Sequence, residues 1–191
     1  HKMRLKNLCV LLIISFLSLA CSSSYKKLSN NSFETQDDFS QYLLQEYQNK
    51  ADFEAKKMHD WNSAKLYSEK ALKAIEGIRI KPQNISYWNI QEEHIIELKE
   101  AYNNIMKIYL DSIEINPYYL AVAVSSLDCW AEQQEENWQT WDINNCKNDY
   151  LNAMHNIYNL ISEKEKNIED RIINKKSNDS VTVITKNQND G

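Results

Sequence analysis

Glycine and proline are scarce in this sequence. The 191 residues include two of each, against roughly a dozen glycines and nearly ten prolines at average usage. Strands joined by tight turns draw on both residues, so a β-sandwich or β-barrel is excluded. Phosphate-binding and dinucleotide-binding loops are excluded as well, because Gly77 and the final Gly191 cannot supply their glycine spacing. Long helices with polar residues at their ends remain, and we predict an all-α fold.

Basic residues are also too few for a nucleic-acid partner. Lys and Arg number 22 against 27 Asp and Glu, which gives a net charge of −5. The charge becomes −8 if residues 1–20, with Lys2, Arg4 and Lys6, are removed. Phosphate binding needs a basic face. Hydrophobic residues make up 42% of the chain, which is ordinary for a packed domain and not typical of disorder.

The longest apolar run is too short to span a membrane. Residues 8–19 are nearly all apolar and follow Arg4 and Lys6. As a helix this run would be about 18 Å long, well under a hydrocarbon core of about 30 Å. A basic segment followed by such a run is typical of an export signal. We therefore predict that residues 1–20 are a signal peptide.

The signal ends in Ser18-Leu19-Ala20-Cys21, followed by serines. This motif resembles the lipobox of bacterial lipoproteins. The resemblance implies that Cys21 becomes the acylated N-terminus, and Ser22 in place of Asp favours the outer membrane with the domain facing the periplasm. An ordinary secretory signal with an incidental Cys is the alternative. Residues 21–34 are rich in Ser, Asn and Lys, and we predict a flexible tether there.

Five amphipathic helices are predicted between residues 35 and 167, from apolar residues spaced three and four apart. Thr35 is expected to begin the first helix, Gly77 to end the second, Asn116-Pro117 to open the fourth, and Thr140 or Asp142 to cap the fifth. The stripes include Phe39, Leu43, Tyr47; Ala64, Tyr67, Ala71; Leu98, Ile105, Tyr109; Leu120, Val124, Leu127; and Tyr150, Met154, Ile157. Residues 168–191 are polar, and we predict a disordered tail with a short β-prone segment at 181–184.

The predicted architecture is a set of antiparallel hairpins, either tetratricopeptide-like or an irregular bundle. Residues 50–74 resemble one tetratricopeptide hairpin, with Ala64 and Ala71 as the small residues of its second helix. His59-Asp60-Trp61 lies at the turn where that family usually has a glycine. No second clear repeat follows, and alanines at this spacing suit any close helix contact.

Two cysteines remain once the signal and the lipid anchor are accounted for. Cys9 lies in the signal and Cys21 at the lipidation site, so Cys129 and Cys146 form an even pair in an oxidising compartment. If the turn spans about 135–141, antiparallel helices bring these cysteines level. We predict a disulfide, which would stabilise the fold by roughly 3 kcal/mol; two buried free thiols are the alternative.

Two segments resemble the N-terminal helical region of bacterial OmpA-like lipoproteins of the peptidoglycan-associated type. They are DCWAEQQEENWQ at 128–139 and HDWNSAKLYSEKALKA at 59–74, and the resemblance covers most of residues 38–160. It implies an outer-membrane lipoprotein whose relatives bind peptidoglycan through a C-terminal α/β domain. The present sequence ends at Gly191 without that domain, so we expect only the helical module, the cysteine pair and the anchor to correspond.

The tryptophan-rich segment after Cys129 has two interpretations. In one, the tryptophans fill the core near the disulfide and the glutamates form a solvated face. In the other, the segment forms a partner groove with aromatic anchors and a polar rim. The candidate interaction residues are Trp130, Glu132, Gln133, Gln134, Glu136 and Trp138.

No catalytic constellation is evident in the sequence. His59, His94 and His155 are isolated, and the adjacent Glu135 and Glu136 would diverge by about 100° on a helix. We predict no enzyme activity, no metal and no cofactor. The expected function is that of a non-enzymatic outer-membrane lipoprotein, a helical module for protein–protein interaction or envelope support. The alternatives are a degenerate or truncated relative with a structural role only, or an accessory to a periplasmic enzyme.

Overall fold

The computed structural model describes residues 23–137 and 139–187, and the all-α prediction is confirmed. In chain order the helices are α1 (Ser23–Ser29), α2 (Asp38–Phe53), α3 (Trp61–Ile75), α4 (Glu92–Ile115), α5 (Pro117–Glu136) and α6 (Thr140–Asn187). A π-helical turn, Glu54–Met58, extends α2, and a short 3-10 turn, Ile85–Tyr87, precedes α4. The predicted signal peptide and Cys21 lie outside the described residues.

Two predicted helix boundaries are confirmed by their cap geometry. Asn116 precedes α5 and its side-chain oxygen accepts a hydrogen bond from the Tyr119 amide at 2.9 Å, with Pro117 as the first helical residue. Gly77 follows α3 with φ +76°, and its amide donates to the Ala74 carbonyl. Both sites use local chemistry that the sequence shows directly, because Asn accepts from free helix amides and Gly adopts a positive φ.

Two other boundaries differ slightly from the prediction. Helix α2 is capped by Asp37 rather than Thr35, since an Asp37 carboxylate oxygen accepts from the Ser40 amide at 2.9 Å. Helix α6 begins at Thr140, and Asp142 lies buried inside its first turn. A capping carboxylate must lie within reach of the amide three residues further along the chain, and Asp37 meets this condition for α2.

The prediction of a flexible tether does not hold for Ser23–Ser29, which forms helix α1. Tyr25 and Leu28, three residues apart, are buried on one side of α1. The Tyr25 hydroxyl donates to the Asp52 carboxylate at 2.7 Å, and its ring lies edge-on to Trp61 at 6.0 Å. Two apolar residues at helical spacing are enough to dock this segment on α3, against which it packs.

The C-terminal segment also differs from the prediction of a disordered tail. Helix α6 is 48 residues long and continues to Asn187, through the predicted β-prone residues 181–184. Residues 162–175 are all exposed, so no packing holds this stretch. Lys, Glu and Ile, which recur there, favour or tolerate helix, and no Gly or Pro interrupts it.

Helix α5 lies at the centre of the domain. It packs on α2, α4 and α6, and 13 of its 20 residues are buried. Helices α2 and α3 form a hairpin through the turn at His59-Asp60, with Ala64 and Ala71 fully buried. The predicted stripe residues form the core. Within the part of the chain that the structure describes, every helix is too short or too polar to cross a bilayer.

Candidate functional site: carboxylates buried along α5

The tryptophan-rich segment is mostly interior, so the partner-groove interpretation is wrong for its central residues. Trp130, Glu132 and Gln133 are each 2% exposed. Gln134 is buried too, and Trp130 packs on the Tyr150 ring at 6.0 Å. Glu135 and Glu136 are exposed, as the solvated-face interpretation expects, but Glu132 is not. Trp138 lies outside the described residues.

The predicted disulfide is confirmed. Cys129 on α5 and Cys146 on α6 are bonded, with 5.7 Å between their Cα atoms and a sequence separation of 17. The two helices pack against each other, which brings the cysteines level. The disulfide therefore fixes the α5–α6 hairpin next to the buried part of α5.

The first buried carboxylate on α5, Asp128, has partners from three other parts of the fold. It is 1% exposed and forms an ion pair with Lys70 of α3. It also accepts hydrogen bonds from the Tyr47 hydroxyl of α2 and the Gln83 amide, both at 2.6 Å. Its charge is therefore compensated, as a buried carboxylate requires. The apolar spacing alone does not predict this network, although an Asp inside the apolar run before Cys129 is a signal for it.

The second buried carboxylate, Glu132, lies one helical turn further along α5. Its two oxygens accept hydrogen bonds from the Ser63 hydroxyl and the Gln133 side-chain amide, each at 2.7 Å. Among the described residues it has no ion pair with Lys or Arg. Neutral donors alone do not compensate a buried negative charge. Burial accordingly raises the pKa of Glu132 to about 7.

Two further carboxylates converge on Glu132. Asp60 caps α3, where it accepts from the Asn62 and Ser63 amides, and Glu136 follows Glu132 by one turn of α5. One oxygen from each of these three residues lies within 4.8 Å of the others. Positions 132 and 136 share a helix face at four-residue spacing. The sequence shows that pair, but not that the turn before α3 brings Asp60 beside it. We call Asp60, Glu132 and Glu136 the acidic cluster.

Glu54 lies next to the acidic cluster, in the π-helical turn after α2. Glu54 is 3% exposed. Within residues 23–137 and 139–187, its carboxylate forms neither a hydrogen bond nor an ion pair. Burial, followed by the charge of Glu132, raises the pKa of Glu54 to about 8. The π turn ends at His59, which has φ +58°. Isolated π turns occur frequently at functional sites.

Two cavities and an open groove border this part of α5. Asp60, Ser63, Trp88, Glu132 and Glu136 line part of one cavity of about 250 Å³. An open groove of about 460 Å³ continues past His59, Asp60, Trp61 and Glu136. On the other side, Glu54, Gln133 and the disulfide border a cavity of about 250 Å³.

Several buried side-chain polar atoms have no hydrogen-bond partner in the described structure. They are the Tyr67 hydroxyl, the Trp88 indole nitrogen, the Ser112 hydroxyl, the Gln133 carbonyl oxygen and one Asp142 carboxylate oxygen. Buried polar atoms are normally paired, so an unpaired group marks a place for water, an ion or a ligand. Trp88 borders the cavity beside Glu132, and Gln133 and Asp142 border the cavity beside the disulfide.

The histidines do not join this site as an acid–base group. His94 contacts the neighbouring Glu93 at 3.2 Å, and His155 contacts Asn159 at 3.0 Å. His59 borders the groove with an exposed side chain. Among the described residues, the site offers carboxylate groups, and two of them, Glu132 and Glu54, have a pKa raised to about 7 and about 8.

In comparisons with known proteins, no family model, curated protein or solved structure matches this chain.

Proposed function

We propose that this chain is a non-enzymatic lipoprotein of the bacterial outer membrane, a helical module that faces the periplasm and binds an envelope protein partner or supports the envelope. The Ser18-Leu19-Ala20-Cys21 motif after a short apolar run is the observation that carries the proposal. The similarity of residues 59–74 and 128–139 to OmpA-like lipoproteins points in the same direction. Direct binding of peptidoglycan is not part of the proposal.

The position of α1 gives the proposal a geometric consequence. Helix α1 begins at Ser23, two residues after Cys21, and two extended residues span about 7 Å. An acylated Cys21 would therefore hold the domain directly at the bilayer surface. Trp61 contacts Tyr25 of α1 and is 46% exposed, and tryptophan favours the membrane–water interface.

The disulfide is in keeping with an exported protein. Structural disulfides persist in oxidising compartments such as the periplasm and are rare in the cytosol. The Cys129–Cys146 bond also joins the two helices that carry most of the buried polar residues. Export to an oxidising compartment would thus allow the disulfide between α5 and α6 to form.

Contacts with a protein partner are expected on α4 rather than on the buried tryptophan segment. Ile96 and Leu110 are 66% and 75% exposed, and a separation of 14 residues places them on nearly the same face of α4. They lie about 21 Å apart along the helix, so they would give a partner two separate contact points and do not form one contiguous apolar patch. A purely structural role, the alternative, requires no such contact.

Metabolic labelling with palmitate tests the lipid anchor. We expect the wild-type chain to incorporate the label and to partition into detergent. Cys21→Ser should abolish both properties, and Cys9→Ser, in the signal peptide, should preserve them. Label retained in Cys21→Ser would contradict the proposal.

Envelope crosslinking distinguishes an interaction module from a purely structural protein. We expect a specific crosslinked species with the wild-type chain and its loss in Leu110→Glu. Glu100→Gln, a neutral change at an exposed position of the same helix, is the matched control. Identical crosslinking patterns in all three proteins would favour the structural role.

A further inference from the structure

We propose that the cavity beside the disulfide binds one small zwitterion, an amino acid with an apolar side chain. The ammonium group of this ligand would lie against Gln133 and Asp142, and its carboxylate against Lys50 of α2. The cavity has a volume of about 250 Å³, below the range of about 300–1,000 Å³ that drug-sized ligands occupy. This proposal does not depend on lipidation or on the location of the protein.

Two buried acceptors lie level with each other where α5 packs on α6. The disulfide fixes Cys129 and Cys146 side by side in this antiparallel pair. Gln133 follows Cys129 by four residues and Asp142 precedes Cys146 by four, so both lie one turn from the disulfide on the faces that carry the cysteines. Gln133 is 2% exposed and Asp142 is 5% exposed, and both line the cavity. An amide and a carboxylate therefore share one wall of the cavity.

Each of these two side chains has an oxygen without a donor. The Gln133 carbonyl oxygen and one Asp142 carboxylate oxygen are buried and accept no hydrogen bond from the described residues. The nitrogen of the Gln133 amide donates to Glu132 at 2.7 Å, so the carbonyl oxygen is turned away from the acidic cluster. Two acceptors cannot satisfy each other, and an unpaired buried acceptor is costly. An ammonium group, with three donors, would satisfy both.

Asp142 also lacks a cation. In the part of the chain that the structure describes, it forms no ion pair with Lys, Arg or His, and burial raises the pKa of its carboxyl group. A nearby positive charge favours the ionised form of a carboxylate. The ligand ammonium would supply that charge, whereas water would supply hydrogen bonds alone.

The wall that α2 contributes has the opposite deficit. Lys50 lines the cavity and is half-buried, and among the described residues it forms no ion pair. Glu46, one turn before Lys50, accepts from the Ser125 hydroxyl at 3.3 Å. Burial lowers the pKa of Lys50, although Glu46 and Asp149 act against this change. Glu54, one turn further on, has a pKa of about 8 and is mostly protonated at neutral pH. A ligand carboxylate would supply the missing counter-ion.

Apolar groups provide the rest of the lining that the argument needs. Phe53 of α2 and Trp141 of α6 border the cavity and are 37% and 58% exposed, and the disulfide forms part of the wall. An apolar ligand side chain that packs against these rings would leave water, which favours binding. Apolar walls with a few convergent polar groups are typical of small-molecule sites.

Isothermal titration calorimetry on the full chain in detergent at neutral pH tests the proposal. L-leucine and L-phenylalanine are the titrants, and we expect one of them to bind once per chain with a Kd on the order of 10⁻⁵–10⁻⁴ M. Isopentylamine lacks the carboxylate of leucine, and isocaproate lacks its ammonium. Each should bind about tenfold more weakly than leucine or worse, because each leaves one of the two charged walls unpaired.

Two variants remove the charges that the ligand would contact. Lys50→Met and Asp142→Asn should each weaken amino-acid binding about tenfold or more. In Lys50→Met, leucine and isopentylamine should bind with Kd values within about threefold of each other, since the carboxylate has lost its partner. Lys57→Met and Asp170→Asn are the matched controls, because both residues are exposed and neither lines the cavity. Their Kd values should stay within about twofold of wild type. Circular dichroism confirms the folding of each variant.

The comparison of ligands on the wild-type chain keeps the test independent of the folding of any variant. If neither amino acid shows saturable binding below about 10 mM, well above the expected range, the proposal is wrong and water is the occupant of the cavity. Equal affinity of the wild-type chain for leucine and isopentylamine overturns it as well, because the carboxylate is then not recognised. So does an equal loss of binding in the control variants.

Discussion

Asp128 and Glu132 lie one turn apart on the same helix and are buried to the same extent, at 1% and 2% exposure, yet their environments are opposite. Asp128 has an ammonium group, a phenol and a backbone amide as partners. Glu132 has a hydroxyl and an amide, with two other carboxylates beside it. Burial alone therefore does not indicate what a carboxylate does.

The difference lies in where positive charge enters the core. Lys70 reaches Asp128 from α3 and also donates to the Lys81 carbonyl at 3.3 Å. One turn along α5, the facing residues are Ser63 and the Asp60 cap, which bring no cation. The first position is suited to holding helices together, whereas at the second burial raises the pKa of Glu132 to about 7.

The largest expected effect is the loss of the compensated carboxylate. Asp128→Ala should lower the free energy of unfolding by about 3–5 kcal/mol, because it leaves a buried ammonium without its partner. Urea denaturation followed by circular dichroism measures this change. Asp149→Ala, at an exposed position of α6, should change stability by less than about 0.5 kcal/mol. If Asp128→Ala lowers the free energy of unfolding by less than about 1 kcal/mol, the Lys70–Asp128 pair does not stabilise the fold.

The uncompensated carboxylates should instead make stability depend on pH. The pKa of Glu54 is about 8 in the folded protein, against an ordinary value of 4.5. Between these values the folded state binds the proton that the unfolded state releases, so stability falls as pH rises. Glu54→Gln should stabilise the folded state by about 4 kcal/mol at pH 8, where wild type has to keep Glu54 protonated or bury its charge, and should change stability little at pH 4.

Urea denaturation at several pH values checks this prediction. Glu54→Gln removes the charged form while keeping the shape of the side chain. Asp128→Asn serves as the contrasting variant, because it should destabilise at neutral pH. If the free energy of unfolding changes with pH in the same way in wild type and in Glu54→Gln, Glu54 is not the cause of the pH dependence.

The smallest expected effect concerns the turn beside the acidic cluster. His59 adopts φ +58°, a conformation that costs a residue with a Cβ atom about 1 kcal/mol. His59→Gly should therefore raise stability by about 0.5–1 kcal/mol. His59→Ala, which keeps the Cβ atom, should not. A loss of stability in His59→Gly would show that the imidazole contributes more than its backbone strain costs.

Features with a local cause could be predicted from the sequence. Apolar spacing predicted the five main helices. Asn116-Pro117 and Gly77 marked two helix boundaries, and the cap geometry confirms both. The cysteine pair followed from helix register. The docking of Tyr25 in α1 was missed because two apolar residues give too weak a periodic signal. The burial of Glu132 was missed because exposure depends on which helices surround α5.

The sequence by itself determined that this chain is helical, where most helices begin and end, and that Cys129 and Cys146 pair, because these depend on propensities and spacing. Only the tertiary structure decided which carboxylates are compensated. Lys70 and Asp128 are 58 residues apart, and Ser63 and Glu132 are 69 apart. Charge balance in a core is set by neighbours in space, and here long side chains bring α3 and α5 into contact.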